Sequence, residues 1–318
     1  MRRFGMVALL ALGLAAMTGP ANAKANCDRK CLGGKLDQFL TAVIAKDPSK
    51  ANLWVGFRQT QNAVLTAPGE GIWKTNTGLG SLDRRYVDPD TQQAEFYGTI
   101  KEGDATAIAS LRIRLHGEQV GEAEWQIARS TDPDITGAKG RGVFDIDNLL
   151  KNPPPQRVVP KGERHARDEL VAAVNSYFDG ITAGTGRHVQ ANPGCYRLEN
   201  GLGGPQWASR PVPKADQDFE SQTDCRTGYG GLGIINVAAR RYLMVDEDAQ
   251  VVVASTVFIR EPLNPKRRNC FMELFFMDGG KISSVYAAMV YAAPELPMPN
   301  WAPYDGNFPI GQNLVLHQ

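Results

Sequence analysis

Arg84-Arg85-Tyr86-Val87-Asp88 in the first half of the chain is answered by Arg240-Arg241-Tyr242-Leu243-Met244-Val245-Asp246 in the second. Upstream of each stands a polar pair before a small residue, Gln61-Asn62-Ala63 and Glu199-Asn200-Gly201. Downstream of each lies a β-hairpin pattern, from Leu111 to Ala128 and from Glu273 to Tyr291. Each half opens on an apolar helical pattern, Leu36 to Lys46 and Leu170 to Gly180. Four features in the same order define an internal repeat. Two copies are too few for a solenoid, so the expected product is a pair of similar domains packed together.

The local patterns fill in each copy. Leu36, Phe39, Leu40, Val43 and Ile44 recur at helical spacing until Asp47-Pro48 stops the run. Residues 95–100 and 108–115 read as strands; in the second, Leu111, Ile113 and Leu115 face one side, Arg112 and Arg114 the other. A turn at His116-Gly117-Glu118 leads into residues 120–128. In the second copy, Leu170, Val174, Tyr177 and Phe178 mark a helix, and residues 200–231 a long loop rich in Gly and Pro. Residues 251–259 form a buried-strand run, and 271–277 with 282–292 form a hairpin around Asp278-Gly279-Gly280. Residues 151–163 contain Pro153-Pro154-Pro155 and Pro160, a stiff linker. The expected organisation is α+β: domains over 34–150 and 164–300, each with helices on a curved antiparallel sheet, and a tail over 301–318.

The chain has 318 residues, 42% of them apolar, which suits two domains with real cores. A net charge of +1 gives no basic excess, so nucleic acid is not an expected partner. Residues 1–23 read as a signal peptide: Arg2 and Arg3, an apolar stretch over 6–17, and Ala21-Asn22-Ala23 before Lys24. That stretch is short of the about 20 residues of a membrane span, so the mature chain is expected to be periplasmic or secreted, with no span after cleavage. Export permits disulfides. Cys27 and Cys31 are placed to close a small loop, and Cys195 and Cys225 to staple the long loop, though spacing leaves connectivity open. Cys270 then remains as a buried thiol. No cysteine–histidine cluster has metal-ligand spacing, and no phosphate-binding or dinucleotide fingerprint occurs, so neither metal nor cofactor is expected.

A helix followed by a strongly bent sheet ending in a long hairpin resembles the nuclear transport factor 2-like superfamily. This is the cone-shaped fold of ketosteroid isomerase, scytalone dehydratase and the SnoaL-like cyclases. Within it, the chain resembles a secreted family of uncharacterised function marked by Arg-x-Thr-Glu-Asn followed by Gly-x-Gly-x-Trp. Here these read Arg58-Gln59-Thr60-Gln61-Asn62 and Gly69-Glu70-Gly71-Ile72-Trp73. The second half keeps Glu199-Asn200-Gly201 with Leu198 at the Thr position, and has Tyr286 where the first has Glu124. The two pockets are therefore expected to differ. The resemblance covers residues 34–300 and implies an exported, cofactor-independent lyase or isomerase acting on a small, largely apolar molecule. A small-molecule binding protein and an interaction scaffold are the other classes the same cones suit.

Candidate site residues follow from this expectation. No Gly-x-Ser-x-Gly elbow exists, and of His116, His165, His188 and His317 only His188 lies near a pocket loop. Glu199 stands where the first half has neutral Gln61, so it is the expected general base. Tyr196, Arg197 and Asn200 would orient the substrate or stabilise negative charge. Tyr177, His188, Trp207, Arg241 and Tyr286 are the expected substrate contacts, with Trp73 a further cone-lining aromatic. Plainer structural readings stand beside these: Asn200 as a turn residue, Arg241 as a sheet-packing arginine, His188 as a loop histidine.

Overall fold

The computed structural model describes residues 27–203, 224–229, 233–260 and 268–293. The signal segment, Trp207 and the tail lie outside these residues. The first domain opens with α1 (Arg29–Ile44), which starts earlier than the periodicity suggests because the Asp28 side chain accepts from the Cys31 N–H and caps it. There follow β1 (Leu53–Gln61), β2 (Val64–Leu65), the short α2 (Ile72–Thr75), β3 (Gly78–Asp88), β4 (Gln93–Glu102), β5 (Ala105–His116) and β6 (Gln119–Ala128). After a connection carrying α3 (Ile146–Lys151), the second domain repeats the order with α4 (Arg167–Ala183), β7 (Ala191–Glu199), β8 (Leu202–Gly203), β9 (Ile234–Asp246), β10 (Val251–Arg260), β11 (Arg268–Asp278) and β12 (Lys281–Ala292).

The two sheets have the same strand order, β2-β1-β6-β5-β4-β3 and β8-β7-β12-β11-β10-β9. The fold is α+β, as expected, but each sheet is mixed rather than antiparallel. β1 runs parallel to β6 and β7 parallel to β12, because each opening strand returns beside the last strand of its own hairpin. Register shifts interrupt β3 against β4 and β9 against β10, and such bulges bend and twist the strands around the helix.

Each sheet buries two faces. The concave face of the first packs against α1 and holds Phe96, Leu111, Trp125 and Trp73. The concave face of the second packs against α4 and holds Tyr177, Phe178, Phe271 and Phe275. The opposite faces pack against each other through Tyr86, Tyr97 and Ile108 on one side and Met272, Leu274, Phe276 and Tyr286 on the other. The linker is docked across this seam: the Pro153, Pro154 and Pro155 carbonyls accept from Tyr286, Arg84 and Tyr86.

The two halves clasp each other reciprocally. Arg29 at the start of α1 donates to Asp246 at 2.9 and 2.8 Å, and Arg167 at the start of α4 donates to Asp88 at 3.0 and 2.6 Å. Asp246 also accepts from the Val87 N–H and Asp88 from the Val245 N–H, both at 2.9 Å. Burial alone would raise the Asp88 carboxyl, but the Arg167, Val245 and Thr91 hydrogen bonds hold it below the usual carboxylate range. The Asp that closes each copy of the opening sequence repeat is thus a cross-domain anchor.

Arg-Arg-Tyr itself is out of register between the copies. Val253 pairs with Met244 and Ala254 with Tyr242, so Leu243 is an extra residue in β9. Counting back from the shared Asp, Arg84 corresponds to Arg241 and Arg85 to Tyr242. Both Arg84 and Arg241 face the seam: Arg84 reaches the Pro154 carbonyl, and Arg241 pairs with Glu124 at 2.6 and 3.1 Å. Arg85 instead lies on the concave side over the Phe96 ring and pairs with Asp37 and Asp83.

Cys27 is bridged to Cys31 and Cys195 to Cys225, while Cys270 is a buried thiol pushed up to about 12, chiefly by burial. The second bridge ties β7 to a segment 30 residues on. Closing a loop of that size contributes on the order of 3 kcal/mol. Reduction under native conditions is expected to lower the melting temperature by several degrees, and Cys195→Ala with Cys225→Ala to reproduce the drop without reductant. A melting curve indifferent to both would show that the bridge does not constrain the fold.

Candidate active site

The registers let the two concave faces be compared position by position. In the first sheet one cross-strand row runs Phe96, Leu111, Trp125, Gln61. In the second the matching row, also ending on the residue before the Asn turn, runs Ala254, Glu273, Ala287, Glu199. One row further along β1 and β7, Gln59 corresponds to Arg197, paired with Ala123 and Val285 respectively. Taking the clasp arginines as equivalent, Phe39 of α1 corresponds to Tyr177 of α4.

The first cone is therefore closed by apolar packing. Phe39 and Trp73 meet edge-on at 5.5 Å, and the Trp73 indole donates to Gln59 at 2.9 Å. Gln61 accepts from the Ile72 N–H and caps α2. In the second cone the same four positions carry Tyr177, Arg197, Glu273 and Glu199. Arg197 is buried, donates to the Tyr177 hydroxyl at 3.1 Å, lies 6.0 Å from the centre of the Tyr229 ring, and pairs with Glu199 at 3.1 Å.

The buried acid of this site is Glu273, in β11. Its neighbours on the same face are Phe271 and Phe275, and the residue is 5% exposed. Oε2 has no hydrogen-bond partner among the described residues. Burial, with the Glu199 charge adding and Arg197 opposing, pushes its carboxyl up to about 8. Burial thus favours the protonated carboxyl over the carboxylate at this position. Glu199, by contrast, has a side chain 20% exposed at the end of β7. It is neither enclosed like Glu273 nor open to solvent like a surface residue.

The residues expected to form one site divide between two faces. Tyr177, Arg197 and Glu199 share the concave face with Glu273. Tyr196 and Tyr286 lie on the opposite face, in the domain seam. Because Tyr286 donates to the Pro153 carbonyl, Tyr196 is the donor in their 2.6 Å contact. Alternation along a strand puts neighbours such as Tyr196 and Arg197 on opposite sides, which corrects the single cluster expected from sequence adjacency. Asn200 has φ +48° and turns the chain. Its amide donates to Val143 and Met289 and its carbonyl accepts from the Met289 N–H, just as Asn62 brackets Ile127. Both are structural turns. Arg241 is committed to Glu124 across the seam, and His188 is exposed in the turn after α4. Trp207 lies outside the described residues.

Glu273 and Tyr229 are the members of the cluster that sequence reasoning misses. A signal for Glu273 does exist: it is the one charge in Cys270-Phe271-Met272-Glu273-Leu274-Phe275-Phe276-Met277. A carboxylate within an otherwise apolar buried strand requires a reason, packing or chemistry. Among the described residues no group of three or more His, Cys, Asp or Glu is arranged to hold a metal ion, and no helix is long and apolar enough to cross a membrane.

One comparison with known proteins falls on the same half. A family model described as a domain of unknown function (DUF8021) matches residues 163–289, which include every residue of this cluster. Two solved structures are similar to parts of the chain. One, from Sphaerobacter thermophilus, is 10% identical, with a TM-score of 0.26, and covers 30% of this chain and 94% of its own. The other, a protein of unknown function with a cystatin-like fold from Methylobium petroleophilum, is 13% identical, with a TM-score of 0.30, and covers 44% of this chain and 99% of its own. No curated protein matches the sequence.

Proposed function

We propose that the second cone is a small-molecule site at which Glu273 transfers a proton, and that the protein is an exported lyase or isomerase of the nuclear transport factor 2-like kind. The observation that carries this is the set of replacements between equivalent positions. Phe39, Gln59, Gln61 and Leu111 of the first cone become Tyr177, Arg197, Glu199 and Glu273 in the second. The first cone folds without ionisable groups there, so the fold does not require them. The signal-like N-terminus and the two disulfides support export.

In this reading Glu273, protonated at neutral pH, donates to a carbonyl oxygen of the substrate. Glu199, two strands away in the same row, on the far side of Ala287, takes a proton from the adjacent carbon. Arg197 and Tyr177 offset the charge that develops between them. The enol so formed is reprotonated at another carbon in an isomerisation. In an elimination it expels a β-hydroxyl as water: Glu199, now carrying the proton taken from carbon, gives it to the leaving hydroxyl, and the enol oxygen returns its own proton to Glu273 as the carbonyl re-forms.

The test is hydrogen–deuterium exchange at carbon. The mature protein is incubated in D2O with a panel of cyclic ketones and β-hydroxy ketones, followed by NMR. Wild type is expected to label at least one compound, with Glu273→Gln and Glu199→Gln each slowing labelling about 100-fold or more. Labelling that survives Glu273→Gln would overturn the assignment. A compound that raises the melting temperature without exchanging would instead indicate a binding protein.

A further inference from the structure

We infer that the outer edge of β1 is a pairing surface, and that through it the protein associates with a second copy of itself, β1 lying antiparallel to β1 about a two-fold axis. The internal repeat supplies the control. Leu53 and Arg58 of β1 pair with Val120 and Glu122 of β6, and Ala191 and Tyr196 of β7 pair with Ile282 and Ser284 of β12. In each domain five steps along the opening strand answer two along its neighbour, so both opening strands bow outward at the same place. Trp54-Val55-Gly56-Phe57 therefore corresponds to Asn192-Pro193-Gly194-Cys195. In the second domain this edge is closed in three ways. Pro193 has no N–H to offer. Asp224 bridges antiparallel to Tyr196, and the Cys225 N–H donates to the Cys195 carbonyl at 2.7 Å. The Cys195–Cys225 disulfide fixes that covering segment in place. Proline and a covering segment are devices that keep a strand edge from pairing with another chain.

The first domain shows none of these devices among the described residues. Trp54 to Phe57 have no ladder partner there, and β2 pairs only with Thr60 and Gln61. The outward bow is apolar where its counterpart is Asn-Pro-Gly. Val55 is 97% exposed, and on β2 Leu65 and Val64 extend the same edge at 66% and 43%. Trp54 is held in place: its ring lies over Gly56, where a Cβ would meet it at 2.1 Å, and stacks on His116 at 4.0 Å. Val and Trp suit a strand, whereas Asn, Pro and Gly do not. The second domain folds with a proline at this position, so the fold does not require the valine. The edge is also its own complement. Leu53 to Phe57 carry no charge. A two-fold axis through Val55 sets Leu53 opposite Phe57 and Arg58 opposite Asn52, which keeps like charges apart. Antiparallel is the sense in which Asp224 meets the equivalent edge of the second domain. Such a contact closes at two copies, and the covered edge of the second domain offers no route to a third.

The test is sedimentation equilibrium of the chain from Lys24 onward at about 100 μM, where a small interface of micromolar affinity is filled. The mass of a dimer is expected. Val55→Pro copies the second domain and removes the N–H. Val55→Lys sets like charges face to face across the axis. Each is expected to weaken association about tenfold or more. Val55→Lys changes only an exposed side chain, so its circular dichroism spectrum should match wild type, and it decides the matter if the proline disturbs the strand. Ile235→Lys, at an exposed apolar residue of β9, should leave the dimer intact. Val55→Cys should form an interchain disulfide on mild oxidation, because residues on the axis face each other. A wild-type chain that stays monomeric, a dimer that survives Val55→Lys or is lost in Ile235→Lys, or a Val55→Cys chain that does not cross-link would each overturn the inference.

Discussion

Replacing Glu124 with alanine is expected to destabilise the folded chain by about 3–5 kcal/mol. Glu124 is buried in the domain seam and accepts from Arg112 of its own sheet at 3.3 and 3.2 Å and from Arg241 of the other at 3.1 and 2.6 Å. Burial alone would raise its carboxyl, but Arg241 and Arg112 outweigh burial and hold it below the usual range. Removing it leaves the Arg241 charge without this partner and weakens the hold on Arg112, which keeps Glu122 at 2.9 Å. The cost is that of uncompensated buried charge rather than of lost packing. Urea denaturation of the variant should show a lower midpoint with the slope preserved. The double variant Glu124→Leu with Arg241→Met should recover much of the loss, because it removes both charges together. A single variant within about 0.5 kcal/mol of wild type would mean that solvent reaches this pair.

Raising the pH from 5 to 9 is expected to lower stability by several kcal/mol. Two carboxyls are responsible. Glu95 is fully buried in the seam, accepts from Ser110, and is pushed up to about 8 by burial against the Ser110 hydrogen bond and the Arg112 charge. Glu273 is pushed up to about 8 in the cone. The ordinary glutamate value is 4.5. Between about 4.5 and 8 the folded chain keeps these protons while the unfolded chain has released them. The stabilisation is therefore fully present below about 4.5 and is lost as pH rises through about 8. Each tenfold gain in proton affinity on folding corresponds to about 1.4 kcal/mol. Glu95→Gln and Glu273→Gln should each flatten the decline in a series of denaturation curves. A wild-type profile flat from pH 5 to 9 would show that neither group is held as the acid.

Much of the fold was legible. The helical periodicity of Leu36, Phe39, Leu40 and Val43 and the alternation of Leu111, Ile113 and Leu115 each report one buried face, and both appear where expected. The parallel pairing of β1 with β6 was not legible, because no side-chain period records which strand lies beside which. The opening repeat misleads in a particular way. Arg-Arg-Tyr matches letter for letter, yet the extra Leu243 in β9 moves the match by one residue, and a slip of one exchanges the two faces of a strand. The candidate site suffers from the same ambiguity. Tyr196, Arg197, Glu199 and Asn200 are neighbours in sequence, but the pleat sends Tyr196 to the seam and the turn takes up Asn200. Glu273 escapes notice because its strand reads as core, and only the register reveals that it lies two strands from Glu199, in the same row across Ala287.

The reciprocal clasp has a consequence for how such a chain can diversify. In a symmetric homodimer every substitution is made twice, so a glutamate set into one hydrophobic interior would weaken both halves at once. Joining the halves into one polypeptide removes that constraint. The first cone can keep Phe96 and Trp125 as filling. Through Arg167 held by Asp88, it steadies the helix that carries Tyr177. The second cone is then free to hold a group that packing alone would reject. One half serves as ballast for the other, and a single gene can explore new chemistry in one interior without risking its twin.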